Sequence, residues 1–339
     1  MKNLNYTKIF ISLSVSFFLL FLLEMFFRQI DMPNQLGITN MNDMFESGVF
    51  MRDRLLFWRF IPGKTYNKIS PHYKGALRIN SIGFREREIS RDKAPGVYRI
   101  FCLGGSSTCG EAVYEGERFS NILEQRLNNE LKPLYFEVYN FGGPGYSTLQ
   151  MLRLLENELI DYKPDLVIVN PEQADRWLLS SKAPFPDSKI KVLSPALFNL
   201  TCFLERESYM YRFVKQFSFD FSWSYKSKNK NIDRKEFKFV RVSPEEHKAN
   251  LARMLDICRR NHIDAVFLAS LVVEAGKVFN IYKDYDQEPC IDIISLFKNS
   301  QEEALFLPDD HINAKGHLVI ADNIFRYLEK YVLLMRHKR

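Results

Sequence analysis

Cysteine is scarce in this chain, and its spacing suggests no partners. Five residues, at 102, 109, 202, 258 and 290, make an odd number with no close pair. That excludes a disulfide framework or a zinc knuckle as the basis of the fold. No cluster of His, Cys and Asp has the spacing of metal ligands, so neither a metal nor another cofactor is expected. A Walker motif and an internal repeat are both missing, which sets aside a P-loop enzyme and a solenoid. Neither sign of charge dominates: 47 Lys and Arg against 41 Asp and Glu leave a net +6 over 339 residues. This mild excess fits an anionic surface but leaves no footprint for nucleic acid, and the one basic run, 226 to 241, is local. Hydrophobic residues at 46% and charged residues at 26% permit a packed core. The length suits one large domain or two ordinary ones.

What is present begins with a long apolar run. Ile9 to Leu23 holds no charge, and the run continues past Glu24 through Met25, Phe26 and Phe27. Nineteen helical residues span about 28 Å, close to the hydrocarbon thickness of a bilayer. Lys2 and Lys8 precede the run, which places the N-terminus in the cytoplasm and the rest outside. A cleaved signal peptide and a buried core helix are the rival readings. The run is long for a signal, no small-x-small site follows, and the first Cys, at 102, rules out a lipobox. The expectation is a signal anchor over 1–30, touching lipid through 9–27, with the remainder periplasmic or extracellular. Glu24 is the awkward residue, although near the outer end it can reach the interface.

Residues 31 to 96 read as a linker and a small leader segment, with a short strand suggested by the alternation in Ala76–Asn80. From 97 to 335 the pattern is α/β. Strands are expected at Val97–Leu103, Phe136–Asn140, Leu166–Asn170, Ala265–Ala269 and Cys290–Ile294. Helices are expected at Glu117–Leu131, Thr148–Ile160, Pro244–Asn261 and Ala314–Leu334, the third opened by Ser243 as N-cap and Pro244 in the first turn. This alternation predicts a mostly parallel sheet of about five strands covered on both faces, a three-layer α/β/α sandwich. Residues 176 to 242 interrupt it, first aromatic and then basic. They read as an insertion: a lid, a substrate wall, a membrane-facing patch, or a plain helical subdomain with an ordinary core.

Three turns carry chemistry. Gly104-Gly105-Ser106-Ser107-Thr108 follows a strand and precedes a helix, which exposes a serine at the carboxyl edge of a parallel sheet. Asn140 to Thr148, with four glycine or proline residues, brings bare N–H groups to the same edge. Pro308-Asp309-Asp310-His311 precedes the last helix. A serine hydroxyl needs an imidazole to take its proton, and the imidazole needs a carboxylate to fix its tautomer. Of six histidines, at 72, 247, 262, 311, 317 and 337, only His311 has adjacent carboxylates in a loop at an expected sheet edge. Singly, each turn is more often a plain loop.

In that order, with Lys163–Val169 between the second and third, these blocks resemble the bacterial SGNH (GDSL-type) hydrolase family over about residues 75 to 330. Arg78–Glu86 also looks like a leader of membrane-anchored members. The resemblance implies a flavodoxin-like sheet, Ser106 as nucleophile, His311 as base and Asp309 as the acid, with Asp310 as its alternative. It also implies an oxyanion hole from the N–H groups of Ser106 and Gly145. Two departures stand out. Gly105 replaces the Asp of the usual Gly-Asp-Ser. Ala174 stands where the family has an Asn that completes the oxyanion hole, a loss that typically costs about 10²–10³ in turnover. Gln173, one residue earlier, carries an equivalent amide.

The function expected is a membrane-anchored serine esterase or O-acyltransferase acting on O-acyl groups of envelope glycans or related esters. The competing expectation is a weak or inactive member that binds glycan or assists envelope polysaccharide assembly.

Overall fold

The computed structural model describes residues 6–30, 47–67, 74–176, 186–214, 240–268, 271–274, 277–280, 290–292, 305–307 and 311–336. The chain divides into two units. One holds the N-terminal helix and most of the insertion. The other holds the sheet.

The sheet unit is built on five parallel strands in the order β6-β5-β7-β8-β11: β5 Val97–Gly104, β6 Tyr135–Gly142, β7 Leu166–Asn170, β8 Asp264–Leu268 and β11 Cys290–Ile291. Counted along the chain this is 2-1-3-4-5, the doubly wound flavodoxin-like order expected from the sequence. Alternation along each strand divides the core. Phe101, Leu103, Tyr139, Phe141, Val167, Val169 and Phe267 face one side. Ile100, Cys102, Val138, Leu166, Ile168 and Val266 face the other. The second side is covered by α3, Phe119–Glu130, and α7, Ala314–Arg336. The first is covered by α4, Thr148–Leu154, and α6, Pro244–Arg260. Both faces buried is what the near-continuous apolar strand Leu166–Val169 anticipates.

The helix expected over 148–160 is shorter than its pattern. It runs to Leu154, then widens into a π-turn at Leu155–Leu159 and closes with a 3₁₀ turn at Ile160–Tyr162. Each segment still buries an apolar side chain on the same core: Leu154 in the helix, Leu155 and Leu159 in the π-turn, and Tyr162 in the 3₁₀ turn. The leader is more ordered than a linker. β1 Phe50–Asp53 and β2 Phe57–Phe60 form an antiparallel hairpin. Asp53 Oδ1 accepts from the N–H of Leu55 and of Leu56 to hold its turn. β3 Thr65–Tyr66 pairs with β4 Leu77–Arg78, within the stretch expected to be a strand. β9 Leu271–Glu274 and β10 Lys277–Asn280 make a separate hairpin.

In the other unit, α1 spans Tyr6–Gln29 and α5 spans Pro195–Glu207. α1 is long and apolar enough to cross a membrane, with a mean hydropathy of 2.3 over its best 18 residues. Within the insertion, Pro186–Ile190 and residues 240–242 belong to the sheet unit. Its basic run over 226–238 lies outside the described residues.

Candidate active site

The carboxyl ends of β5 and β7 adjoin where the strand order reverses, the crevice in which doubly wound sheets bind ligands. Ser106 lies there. It opens the one-turn helix α2, Ser106–Cys109, directly after β5, and is half-buried. Gly145 follows β6 at φ +68°, a left-handed conformation that disfavours any side chain. Gln173 and Ala174 follow β7 in a short 3₁₀ turn, Gln173–Arg176.

A residue that the sequence reasoning passed over organises the turn. Glu172 is buried and places its carboxylate against α2. It accepts from the N–H of Gly105 at 2.9 Å, Ser107 at 3.0 Å and Thr108 at 2.9 Å, and from Thr108 Oγ1 at 3.1 Å. Burial pushes its carboxyl above the ordinary value, against the opposing pull of these bonds. Four consecutive N–H groups thus divide three to one. Among the described residues the Ser106 N–H has no acceptor.

Glu172 also explains Gly105. A Cβ at residue 105 would lie 2.7 Å from Glu172 Oε2. The Asp of the usual Gly-Asp-Ser would therefore meet both atoms and like charge.

The second block is held from three sides. Asn140 Nδ2 donates to Thr108 O at 2.6 Å, tying this block to the Ser106 turn. Trp58 Nε1 donates to Pro144 O at 2.9 Å. Arg241 Nη1 donates to Gly145 O at 2.7 Å. Arg241 is itself fixed by Asp187, 2.9 Å away, and both side chains are nearly inaccessible. Burial raises the Asp187 carboxyl, and the Arg241 guanidinium pulls it back. The Pro144–Gly145 peptide is trans, so its N–H points away from the carbonyl that Trp58 holds. Among the described residues the Gly145 N–H, too, has no acceptor.

Beside the third block, Asp175 is fully engaged elsewhere. Its carboxylate accepts from Thr148 N at 2.7 Å and Thr148 Oγ1 at 2.5 Å, and it pairs with His247 Nδ1 at 2.7 Å. Ala174 is buried and offers no amide. Gln173 makes no hydrogen bond among the described residues, and none links it to Ser106.

The C-terminal block enters through a narrow loop. Phe306 and Ile312 form an antiparallel bridge, and Asn313 Oδ1 caps α7 through the N–H of Lys315 and Gly316. His311 is half-exposed, with Nε2 3.9 Å from Glu111 Oε2. The N–H of Glu111 in turn bonds Ser106 O at 3.4 Å. His311 and Ser106 thus flank one turn without a direct hydrogen bond, a separation common in unliganded sites. Asp309 and Asp310 lie outside the described residues.

The two histidines of this block have different environments. His317 is wholly buried, accepts from the Phe119 N–H at 3.2 Å and stacks on the Phe119 ring. Burial, with Arg118 and Arg85 nearby, drops its pKa to about 3. It is a neutral structural acceptor. No His/Cys/Asp/Glu group among the described residues has a metal-binding arrangement.

No family model matches the sequence, and no curated protein matches it. Among solved structures the chain is similar to the lipase/acylhydrolase of Enterococcus faecalis, with 13% identity, a TM-score of 0.44, and coverage of 69% of this chain and 96% of that one. It is similar to an acetylxylan esterase from Geobacillus stearothermophilus, with 16% identity, a TM-score of 0.42, and coverage of 68% and 93%. A member of the lipolytic G-D-S-L family from Veillonella parvula gives 13% identity, a TM-score of 0.40, and coverage of 68% and 97%.

Proposed function

We propose that the chain is an SGNH-type serine esterase or O-acyltransferase, anchored in a membrane by α1, with its sheet unit periplasmic or extracellular. The observation that carries this reading is the division of N–H groups around Ser106. Glu172 accepts from the turn's other three donors. The N–H groups of Ser106 and Gly145 remain for an oxyanion.

In this reading Ser106 Oγ attacks the acyl carbonyl while His311 takes its proton. The carbonyl oxygen becomes an oxyanion held by the two N–H groups. Collapse expels the alcohol, which receives the proton from His311, and leaves an acyl-Ser106 ester. Water or an acceptor hydroxyl, deprotonated by His311, then attacks that ester; the acyl–Oγ bond breaks, Ser106 Oγ takes the proton back from His311, and the free acid or the new ester leaves. Asp309, two residues before His311, orients the imidazole, with Asp310 as the alternative acid. The substrates are O-acyl groups of envelope glycans or related esters, a class argued from the outward orientation.

Ala174 favours a second reading. With no amide side chain at that position, two backbone donors do the work of three, and the fold serves slow turnover or glycan binding. The two readings separate on p-nitrophenyl acetate turnover by the full chain in detergent micelles. The enzyme reading expects turnover abolished by Ser106→Ala and lowered at least 10³-fold by His311→Ala. Turnover insensitive to Ser106→Ala defeats it. Release of acetate alone marks a hydrolase, and an acceptor-dependent rise in rate marks a transferase.

A further inference from the structure

α1 is bare along most of its length and covered only at one end. Every residue from Tyr6 to Leu23 is exposed. These 18 residues span about 27 Å as a helix, close to the thickness of a hydrocarbon core. Cover begins at Glu24, which is half-buried, and Phe27 is buried.

The cover is the insertion. Glu24 accepts from Ser208 Oγ at 2.8 Å and from the N–H of Tyr209 and of Met210, each at 3.0 Å. Those N–H groups open a helical segment over 209–214. Arg28 Nε pairs with Glu24 at 2.8 Å, and its Nη2 donates to Glu207 O at the end of α5. The Phe27 ring packs on that of Phe213, with centroids 4.8 Å apart. A carboxylate unwelcome in hydrocarbon is thus fully hydrogen-bonded where lipid contact would end.

α5 leaves this junction with an apolar stripe outward. Leu197, Leu200 and Phe203, spaced by three, are 46%, 51% and 52% exposed. Asn199 and Arg206, both exposed, border the stripe. Phe198, Thr201, Cys202 and Glu205 form the inner side. An amphipathic helix with this pattern suits the plane between headgroups and acyl chains.

We propose that α5 rests on the outer leaflet, with Leu197, Leu200 and Phe203 among the upper acyl-chain segments. The Glu24–Arg28 cluster fixes the end of α5 at that depth. Two elements then hold this unit to the membrane: a spanning helix and an interfacial one. The proposal rests on α1 spanning the bilayer. Its occupant is lipid because α5 ends, at Glu207, on Arg28 beside Glu24, where the unbroken exposed surface of α1 stops.

Nitroxide accessibility tests this on the full chain in vesicles of phosphatidylcholine and phosphatidylglycerol. Cys202→Ser and Cys290→Ser remove the two cysteines that are not buried. Single nitroxides then follow from Phe17→Cys, Asn199→Cys, Leu200→Cys and Phe203→Cys. Expected is an oxygen-to-nickel-chelate collision ratio at 17, 200 and 203 at least threefold above that at 199. A ratio at 200 and 203 equal to that at 199, with 17 still oxygen-favoured, overturns the proposal and leaves the anchor standing. Exclusion of both reagents at 200 and 203 also overturns it, in favour of protein packing. Nickel-favoured collisions at 17 overturn the anchor, and the proposal with it.

Discussion

Trp58 donates its indole N–H to the carbonyl of Pro144, 2.9 Å away, and so sets the direction of the Gly145 N–H in the same peptide. The indole belongs to the leader hairpin and the glycine to the second block. Tyr146 completes the link by donating its hydroxyl to Trp58 O at 2.9 Å. A hydrogen bond to a peptide carbonyl also strengthens its N–H as a donor. Trp58→Phe keeps an aromatic ring and removes the donor. The expected result is a fall in kcat of about tenfold with KM changed by less than about twofold, smaller than outright loss of an oxyanion donor. Steady-state ester turnover, with circular dichroism as the check on folding, measures it. An unchanged kcat would show that the leader only packs.

Glu172 and Gly105 make a pair that can be exchanged. Gly105→Asp alone, which restores the common Gly-Asp-Ser, is expected to abolish turnover and lower stability by about 3 kcal/mol. Adding Glu172→Ala removes the clash and the like charge, and is expected to recover part of both. Denaturant unfolding and turnover of the two single variants and the double variant check it. Additive losses would mean the two side chains do not compete for one space.

The raised Glu172 carboxyl has a sign that can be tested. A carboxyl that binds its proton more tightly folded than unfolded stabilises the fold most below the ordinary carboxylate value. That contribution fades as pH rises from there through its folded pKa. The stability of wild type minus that of Glu172→Gln should therefore decline as pH rises across that window. Glu172→Gln should cost about 2 kcal/mol at neutral pH, because an amide N–H₂ then faces backbone donors. Unfolding curves at stepped pH measure both.

His317 acts in the opposite direction. Its pKa near 3 is below the ordinary value, so its contribution is present above about pH 6.5 and is lost as pH falls toward 3. Within that window wild type should lose about 1.4 kcal/mol per pH unit to this one group. His317→Gln keeps an acceptor for the Phe119 N–H and should lack that slope. Equal slopes in both proteins would mean His317 is solvated.

Much of this architecture is legible in the residues. The apolar runs at Ile100–Leu103 and Leu166–Val169, set between helices of 3.6 periodicity, specify a buried parallel sheet. The glycine-rich turns after the first two strands mark its carboxyl edge. The hairpin of Phe50–Phe60 is not legible, because Phe57, the first residue of β2 after the turn, adopts φ +67° without the Gly or Asn that would signal it. The role of Trp58 is hidden with it. Glu172 is equally silent: a lone carboxylate two residues past a strand has no periodicity, and its role exists only once β5 and β7 are adjacent. Gly105 reads as a departure until Glu172 is seen beneath it. His311 and His317 differ in burial by their places before and within α7, which the motif alone does not separate.

The central claim, that Ser106 is the activated nucleophile of this turn, is tested most directly by a fluorophosphonate probe on the full chain, with the modified peptide identified by mass spectrometry. The account predicts one adduct, on Ser106, absent in Ser106→Ala and slowed at least 10²-fold in His311→Ala. An adduct on another serine, or none on Ser106 between pH 6 and 9, would contradict it.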